Sequence, residues 1–235
     1  ARVARSHRMV VLSDEIYGEL HHEGDHVSIA SYYPEGTIVS GGLSKWCGAG
    51  GWRLGTFILP GELSWLGDAM ACAASETFTS TSAPIQHAAI EAFKGNDEIE
   101  RYLHLSRGIV RDLGRWIAGE LRSAGAAVDD PEGGFYLFPD LEPLGEALTE
   151  RGIHTSADLT RRCLDETGVA FLPGSCFGRP AEERTARIAY VNFDGEQALA
   201  EASERGDEDA GDLAELPACA STREAVTRLA DWLRG

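Results

Sequence analysis

SGGLSKWCGAGGWRLG, Ser40–Gly55, joins the end of an apolar run to a glycine-rich turn carrying two cations. It opens on the end of an apolar run, TIVSGG (Thr37–Gly42), which reads as a buried strand. The chain then places one lysine, Lys45, among small residues and reaches Arg53 eight positions later. Gly48, Gly50 and Gly51 lack a Cβ and so let backbone approach a ligand closely. A lysine with apolar and aromatic neighbours is a candidate Schiff-base former, because desolvation disfavours its ammonium form. An arginine presents a planar fork of donors suited to phosphate. The same residues would also make an ordinary solvated turn.

Upstream, MVVLSDEIY (Met9–Tyr17) is a short apolar run ending in Asp14, with Tyr17 three residues on. An acid at the carboxyl end of a buried parallel strand lies where open α/β sheets bind ligands. Ser13 or Asp14 could also simply cap a following helix.

The ordered set D-E-I-Y, S-K, G-W-R-L-G resembles the fold-type I, class I/II aminotransferases that use pyridoxal 5'-phosphate (PLP). The resemblance continues through SETFTSTSAPIQHAA (Ser75–Ala89), PEGGFYLFPDL (Pro131–Leu141), VAFLPGSCFG (Val169–Gly178) and TARIAYVNF (Thr185–Phe193). It implies an α/β fold: the C-terminal part of a PLP-transferase large domain followed by a small α+β domain. Met9–Ser13, Thr37–Ser40 and Leu54–Leu59 would be the last three strands of a mainly parallel sheet, the third antiparallel. Relatives are usually much longer. The resemblance therefore implies that an amino-terminal half is missing, with its glycine-rich phosphate loop, ring-stacking aromatic and ring-contacting asparagine. A fragment of this kind is expected to bind PLP weakly or not at all on its own.

The resemblance also assigns roles. Lys45 matches the Schiff-base lysine and proton carrier, Asp14 the acid facing the pyridine nitrogen, and Tyr17 the donor to the ring's phenolate oxygen. Ile16 matches the apolar residue beneath the ring, and Arg53 the phosphate-binding arginine. Many relatives carry a phosphate-binding serine three residues before the lysine. Gly42 stands there in this chain, which leaves Ser44 or Ser40 as the hydroxyl. Arg187 matches the clamp for the substrate's α-carboxylate, a bidentate role its fork suits; Arg184 is the next candidate, and Arg179 lies close by. Gly133 and Gly134 allow a tight turn at the entrance, where Phe135 and Tyr136 read as core.

Composition sets the outer bounds. A length of 235 residues suits one or two domains. A net charge of -17 argues against nucleic acid or anionic membrane as a partner through bulk electrostatics. No apolar run approaches the roughly 20 residues of a membrane span, and ARVARSHR lacks the apolar segment of a signal peptide. The five cysteines are odd in number and widely spaced, which reads as reduced thiols of a cytoplasmic protein. His21, His22, Glu23 and Asp25 fit no usual metal spacing, so no metal is expected.

Periodicity predicts helices over Glu62–Ala74, with Leu63, Leu66, Ala69, Met70 and Ala73 on one face, and from Ser82 to about Phe93. It predicts a long helix over Asn96–Ala124 striped by Ile99, Leu103, Ile109, Val110, Leu113, Ile117 and Leu121. Gly108, Gly114 and Gly119 weaken that helix, each by up to ~1 kcal/mol against alanine. The domain boundary is placed within it, giving domains 1–106 and 107–235. Ala127–Val128, Gly134–Phe138, Val169–Leu172 and Ala186–Val191 read as strands, and Ser156–Thr167 and Thr222–Leu233 as helices. Glu201–Glu215 holds seven acids and one arginine, a solvated loop or helix face.

The expected activity is transfer of an amino group between an L-amino acid and a 2-oxo acid such as 2-oxoglutarate, by a homodimer when intact. A lyase or cyclase of the same fold, or a PLP-sensing domain of a transcription regulator, would share these motifs.

Overall fold

The computed structural model describes residues 1–205 and 212–235. The chain divides into two compact units, Ala1–His104 and Leu105–Gly235. The acidic stretch Glu201–Glu215 lies partly outside the described residues, at 206–211.

The first unit is built on a three-stranded sheet. After a short helix α1 (Arg2–Ser6), strands β1 (Val11–Asp14), β2 (Thr37–Gly42) and β3 (Gly55–Ile58) pair in the order β1-β2-β3. β1 runs parallel to β2, with Asp14 opposite Ser40, and β3 runs antiparallel, with Gly55 opposite Gly42. This is the parallel-then-antiparallel arrangement expected of the last three strands. β1 starts two residues later than the apolar run predicts, because the N–H of Met9 is held by the Ala4 carbonyl behind α1. α2 (Ser64–Thr77) and α3 (Ala83–Lys94) follow.

The face of α2 differs from expectation. Leu63, Leu66, Gly67, Met70 and Ala74 turn toward protein, while Ala69, Ala73 and Trp65 face outward. Ser82 occupies the N-cap of α3, but its side chain makes no capping bond; Pro84 in the first turn has no N–H to satisfy.

Helix α4 (Asp97–Ser123) carries the chain into the second unit. Asn96 starts it by accepting the Ile99 N–H at 2.9 Å. Its predicted stripe forms the core: Ile109, Leu113, Ile117 and Leu121 are at most 2 % exposed. Around it pack α5 (Gly145–Glu150), α6 (Ser156–Thr167), α7 (Gly195–Arg205) and α8 (Ala220–Arg234), together with a small antiparallel sheet. That sheet comprises β4 (Tyr136–Leu137), β5 (Leu172–Pro173) and β6 (Ala186–Ala189), ordered β4-β6-β5. Ala127 only bridges Asp140, and no strand forms at Val128. Thr155 caps α6 through its side chain, and Gly168 ends it at φ 75°. Val226, Leu229, Ala230 and Leu233 of α8 are buried as the periodicity predicts.

No helix among the described residues is long and apolar enough to cross a membrane.

Candidate active site

Two neighbouring strand ends in the first unit assemble the predicted groups. Parallel pairing sets the carboxyl ends of β1 and β2 side by side, so Asp14 and Ser40 are register partners. The Ser40 hydroxyl donates to Asp14 Oδ1 at 3.2 Å, and the Ile16 amide approaches the same oxygen at 3.4 Å. Ser40 is thereby committed to the acid, which leaves Ser44 as the unengaged hydroxyl beside the lysine.

Beyond β2 the chain makes a closed loop. The Leu43 N–H meets the Leu54 carbonyl, and the Ala49 N–H returns to the Leu43 carbonyl. Leu43, Trp46 and Leu54 bury their side chains and fix the loop from beneath; Trp46 meets Phe93 edge-on at 6.0 Å. Lys45, between two of these anchors, is half-buried. Its Nζ lies 5.5 Å from the centre of the Tyr17 ring. The loop and the β1 end thus bring together Lys45 and Tyr17, which stand far apart in sequence.

Of the three loop glycines singled out in the sequence, Gly48 alone adopts positive φ (63°). Arg53 itself sits in left-handed backbone at φ 56°, a conformation costing on the order of 1 kcal/mol for a residue with a Cβ. One guanidinium nitrogen, Nη1, donates to the Gly50 carbonyl at 2.9 Å. Its remaining donors face an exposed surface.

Glu15, the unassigned letter of D-E-I-Y, anchors the segment that follows. Its side chain is 13 % exposed and accepts from Ser28 Oγ at 2.6 Å and meets His26 Nε2 at 3.0 Å. Burial alone would raise this carboxyl, but bonds from Ser28, His26 and Ser13 outweigh it and hold it below the usual range. The loop after β1 is tied back immediately beside Asp14 and Tyr17. The sequence signal was the recurrence of Ser28 and His26 soon after an acid that no motif role had used.

His21 Nδ1 accepts the Asp25 amide at 3.2 Å. No arrangement of three or more His, Cys, Asp or Glu suited to a metal occurs among the described residues. A cleft of about 710 Å³ under β3, α2 and α3, lined by Phe78, Ile90 and Phe93 among others, includes none of the predicted site residues.

In the second unit the arginines separate by environment. The Arg184 side chain is 12 % exposed and every one of its nitrogens is engaged: it donates to the Ile153 carbonyl at 2.9 Å, to Glu142 at 3.0 and 3.2 Å, and to Thr149 Oγ1 at 2.8 Å. The Arg184 amide and guanidinium hold the Glu142 carboxyl below its ordinary range. Arg179 pairs with Glu183 on the surface. Arg187 makes no ion pair among the described residues. Its Cζ lies 4.4 Å from the Tyr136 ring centre and 4.2 Å from that of Phe177. Strand alternation explains the pairing. Ala186 and Ile188 point into the core, so Arg187 stands on the other face of β6. Tyr136, opposite Ala189 on β4, shares that face. Tyr136 is therefore a partner of Arg187 and not the plain core residue its composition suggests, whereas Phe135 does pack against the core.

A model of the family "Aminotransferase class I and II" matches residues 1–233. Among curated proteins, the aspartate aminotransferase of Bacillus sp. (strain YM-2) is 32% identical over 81% of this chain and 47% of its own length. The asparagine–oxo-acid transaminase of Streptococcus mutans is 33% identical over 80% of this chain and 46% of its own. Among solved structures, the aromatic aminotransferase of Pyrococcus horikoshii OT3 superposes with a TM-score of 0.76 at 27% identity, covering 99% of this chain and 53% of that one. The chain spans about half the length of the relatives it matches. On the match over nearly all of its residues and on shared architecture, the chain belongs to the class I and II aminotransferases.

Proposed function

We propose that this chain carries the lysine-bearing part of the active site of a PLP-dependent aminotransferase, which moves an amino group between an L-amino acid and a 2-oxo acid such as 2-oxoglutarate. The first unit is then the C-terminal half of the cofactor-binding domain and the second the small domain, and the intact enzyme is a homodimer. The observation that carries the reading is the convergence of Lys45 on Tyr17 at 5.5 Å, beside an acid held at the adjoining strand end.

The donor set fits the cofactor. Lys45 offers a half-buried amine to its aldehyde, and Asp14 a carboxylate to its ring nitrogen. Tyr17 offers a hydroxyl to its phenolate oxygen, and Arg53 and Ser44 offer donors to its phosphate. When bound, PLP supplies the electron sink that makes the substrate's α-proton removable. Ser40 and the Ile16 amide orient the Asp14 carboxylate, so that its charge is aimed before the cofactor arrives. The strained Arg53 backbone fixes where the guanidinium leaves the loop, which a phosphate site requires of a bidentate donor. With its amine free, Lys45 Nζ would take the proton from the substrate's α-carbon and return it to the carbon on the other side of the substrate nitrogen, as general base and then acid. Arg187 receives the substrate's carboxylate, and its lack of an acidic partner among the described residues leaves that role open.

The test, made on the intact enzyme, is borohydride reduction after incubation with PLP, followed by peptide mapping, alongside an amino-transfer assay with and without 2-oxoglutarate. A pyridoxyl adduct on Lys45 and product that depends on the oxo acid support the reading. Adduct on another lysine, or ammonia released without any acceptor, overturns it.

A further inference from the structure

Arg187 is a half-buried cation set over two aromatic rings. A guanidinium in that position has given up part of its hydration, and the ring quadrupoles offset some of that loss. It contrasts with Arg184, three residues away, whose three guanidinium nitrogens all donate to protein acceptors. The two rings come from different elements. Tyr136 is fixed by β4, and Phe177 ends the single 3-10 turn Gly174–Phe177 that follows β5. Phe177 is in turn met edge-on by Phe138 at 5.9 Å and 86°.

Resting on the reading of Arg187 as the carboxylate receptor, we propose that Tyr136 and Phe177 are its positioning residues. They restrict the rotamers of Arg187 and set the plane in which its N–H groups meet an incoming carboxylate, with Phe138 bracing Phe177. Rings contact the flat cation through its delocalised charge, while carboxylate binding uses the donors in its plane, so the two demands do not compete. A cation already ordered this way loses less conformational freedom when the anion binds. The prediction is specific to ring character: the Tyr136 hydroxyl has no part in it.

The first readout needs no cofactor. In the 235-residue chain the Arg187 Nε–Hε resonance is shifted upfield by the ring currents, and sodium propionate moves it while propionamide does not. Phe177→Leu and Tyr136→Leu should return the resonance toward its random-coil position and weaken propionate binding about fivefold to tenfold each. Tyr136→Phe and Phe177→Tyr should behave as the parent. In the PLP-loaded protein the same leucine variants should raise KM for both substrates by a similar factor, with kcat within about twofold. Unchanged propionate affinity in both leucine variants, with Arg187→Lys abolishing binding, overturns the positioning role and leaves Arg187 as the receptor. If Arg187→Lys also binds normally, the receptor reading itself fails. A drop in thermal stability with kcat and KM worsening together would mark the rings as merely structural and would equally overturn the proposal.

Discussion

Replacing Gly114 by alanine tests what α4 is for. On helix propensity alone, Gly→Ala at positions 108, 114 and 119 should stabilise alike, by up to ~1 kcal/mol each. The surroundings separate them. A Cβ at Gly114 would stand 2.6 Å from Tyr190 Oη, 2.7 Å from Pro131 Cγ and 2.9 Å from Tyr190 Cζ. Tyr190 is 1 % exposed and has no room to retreat. Overpacking of this kind costs about 1–3 kcal/mol, and three contacts below 3.0 Å against a buried ring place it at the upper end. After the propensity gain, Gly114→Ala should destabilise by roughly 2 kcal/mol. At Gly119 a Cβ would meet nothing within 4 Å, so the full ~1 kcal/mol is gained. Gly108 falls between, since its one close contact is a terminal methyl of Leu213 at 2.9 Å rather than a ring and a proline. For a unit of roughly 130 residues each kcal/mol moves Tm by about 4 °C. The series should therefore read near +4 °C for Gly119→Ala, close to zero for Gly108→Ala and about −8 °C for Gly114→Ala. Circular dichroism at 222 nm during thermal and urea unfolding measures all three. Adding Tyr190→Phe to Gly114→Ala should recover part of the loss, since it removes the nearest atom and sacrifices only a long 3.4 Å bond to the Gly134 carbonyl. Equal stabilisation at 114 and 119 would refute the reasoning, because helix propensity would then outweigh packing at the most crowded point of the helix.

Arg184→Ala should destabilise the second unit by about 1–2 kcal/mol, since it strands the buried Ile153 carbonyl while water can hydrate the 43 % exposed Glu142 carboxylate, whereas Arg187→Ala should change stability by less than about 1 kcal/mol; paired urea titrations decide. The Glu15 carboxyl is held below its ordinary value, so its contribution is complete above the unfolded pKa near ~4.3 and is lost as pH falls through the lower folded value. Glu15→Gln should remove that acid limb, and limited proteolysis between His21 and Ser28 across pH 3–6 should show cleavage that no longer depends on pH. In the intact enzyme Ser40→Ala should leave the fold unchanged but weaken PLP retention about threefold to tenfold by freeing the Asp14 carboxylate from its hydroxyl donor; equilibrium dialysis with PLP reads the change, and unaltered retention would detach Ser40 from the site.

The three strands of the first unit, the long helix and its buried stripe were legible from the sequence because apolar spacing reports directly on which face leaves water, whereas the expected strands at Ala127–Val128 and Val169–Leu172 shrank to a single bridge and to Leu172–Pro173. The stripe of α4 from Ile109 to Leu121 needed no partner to be recognised, and the identity of Lys45, Asp14, Tyr17, Arg53 and Arg187 as candidates followed from an ordered set of local motifs. What the sequence could not decide was which groups meet. Register paired Asp14 with Ser40, and loop closure brought Lys45 to Tyr17. Propensity ranked the three α4 glycines alike, but only tertiary packing made Gly114 indispensable. Three arginines within nine residues look interchangeable in one dimension. The segment before β6 set Arg184 among acceptors, and alternation along β6 set Arg187 against two rings. Periodicity is a property of one element by itself, whereas a hydrogen bond, a clash or a ring contact is a property of two, and their distance is fixed only when the chain folds.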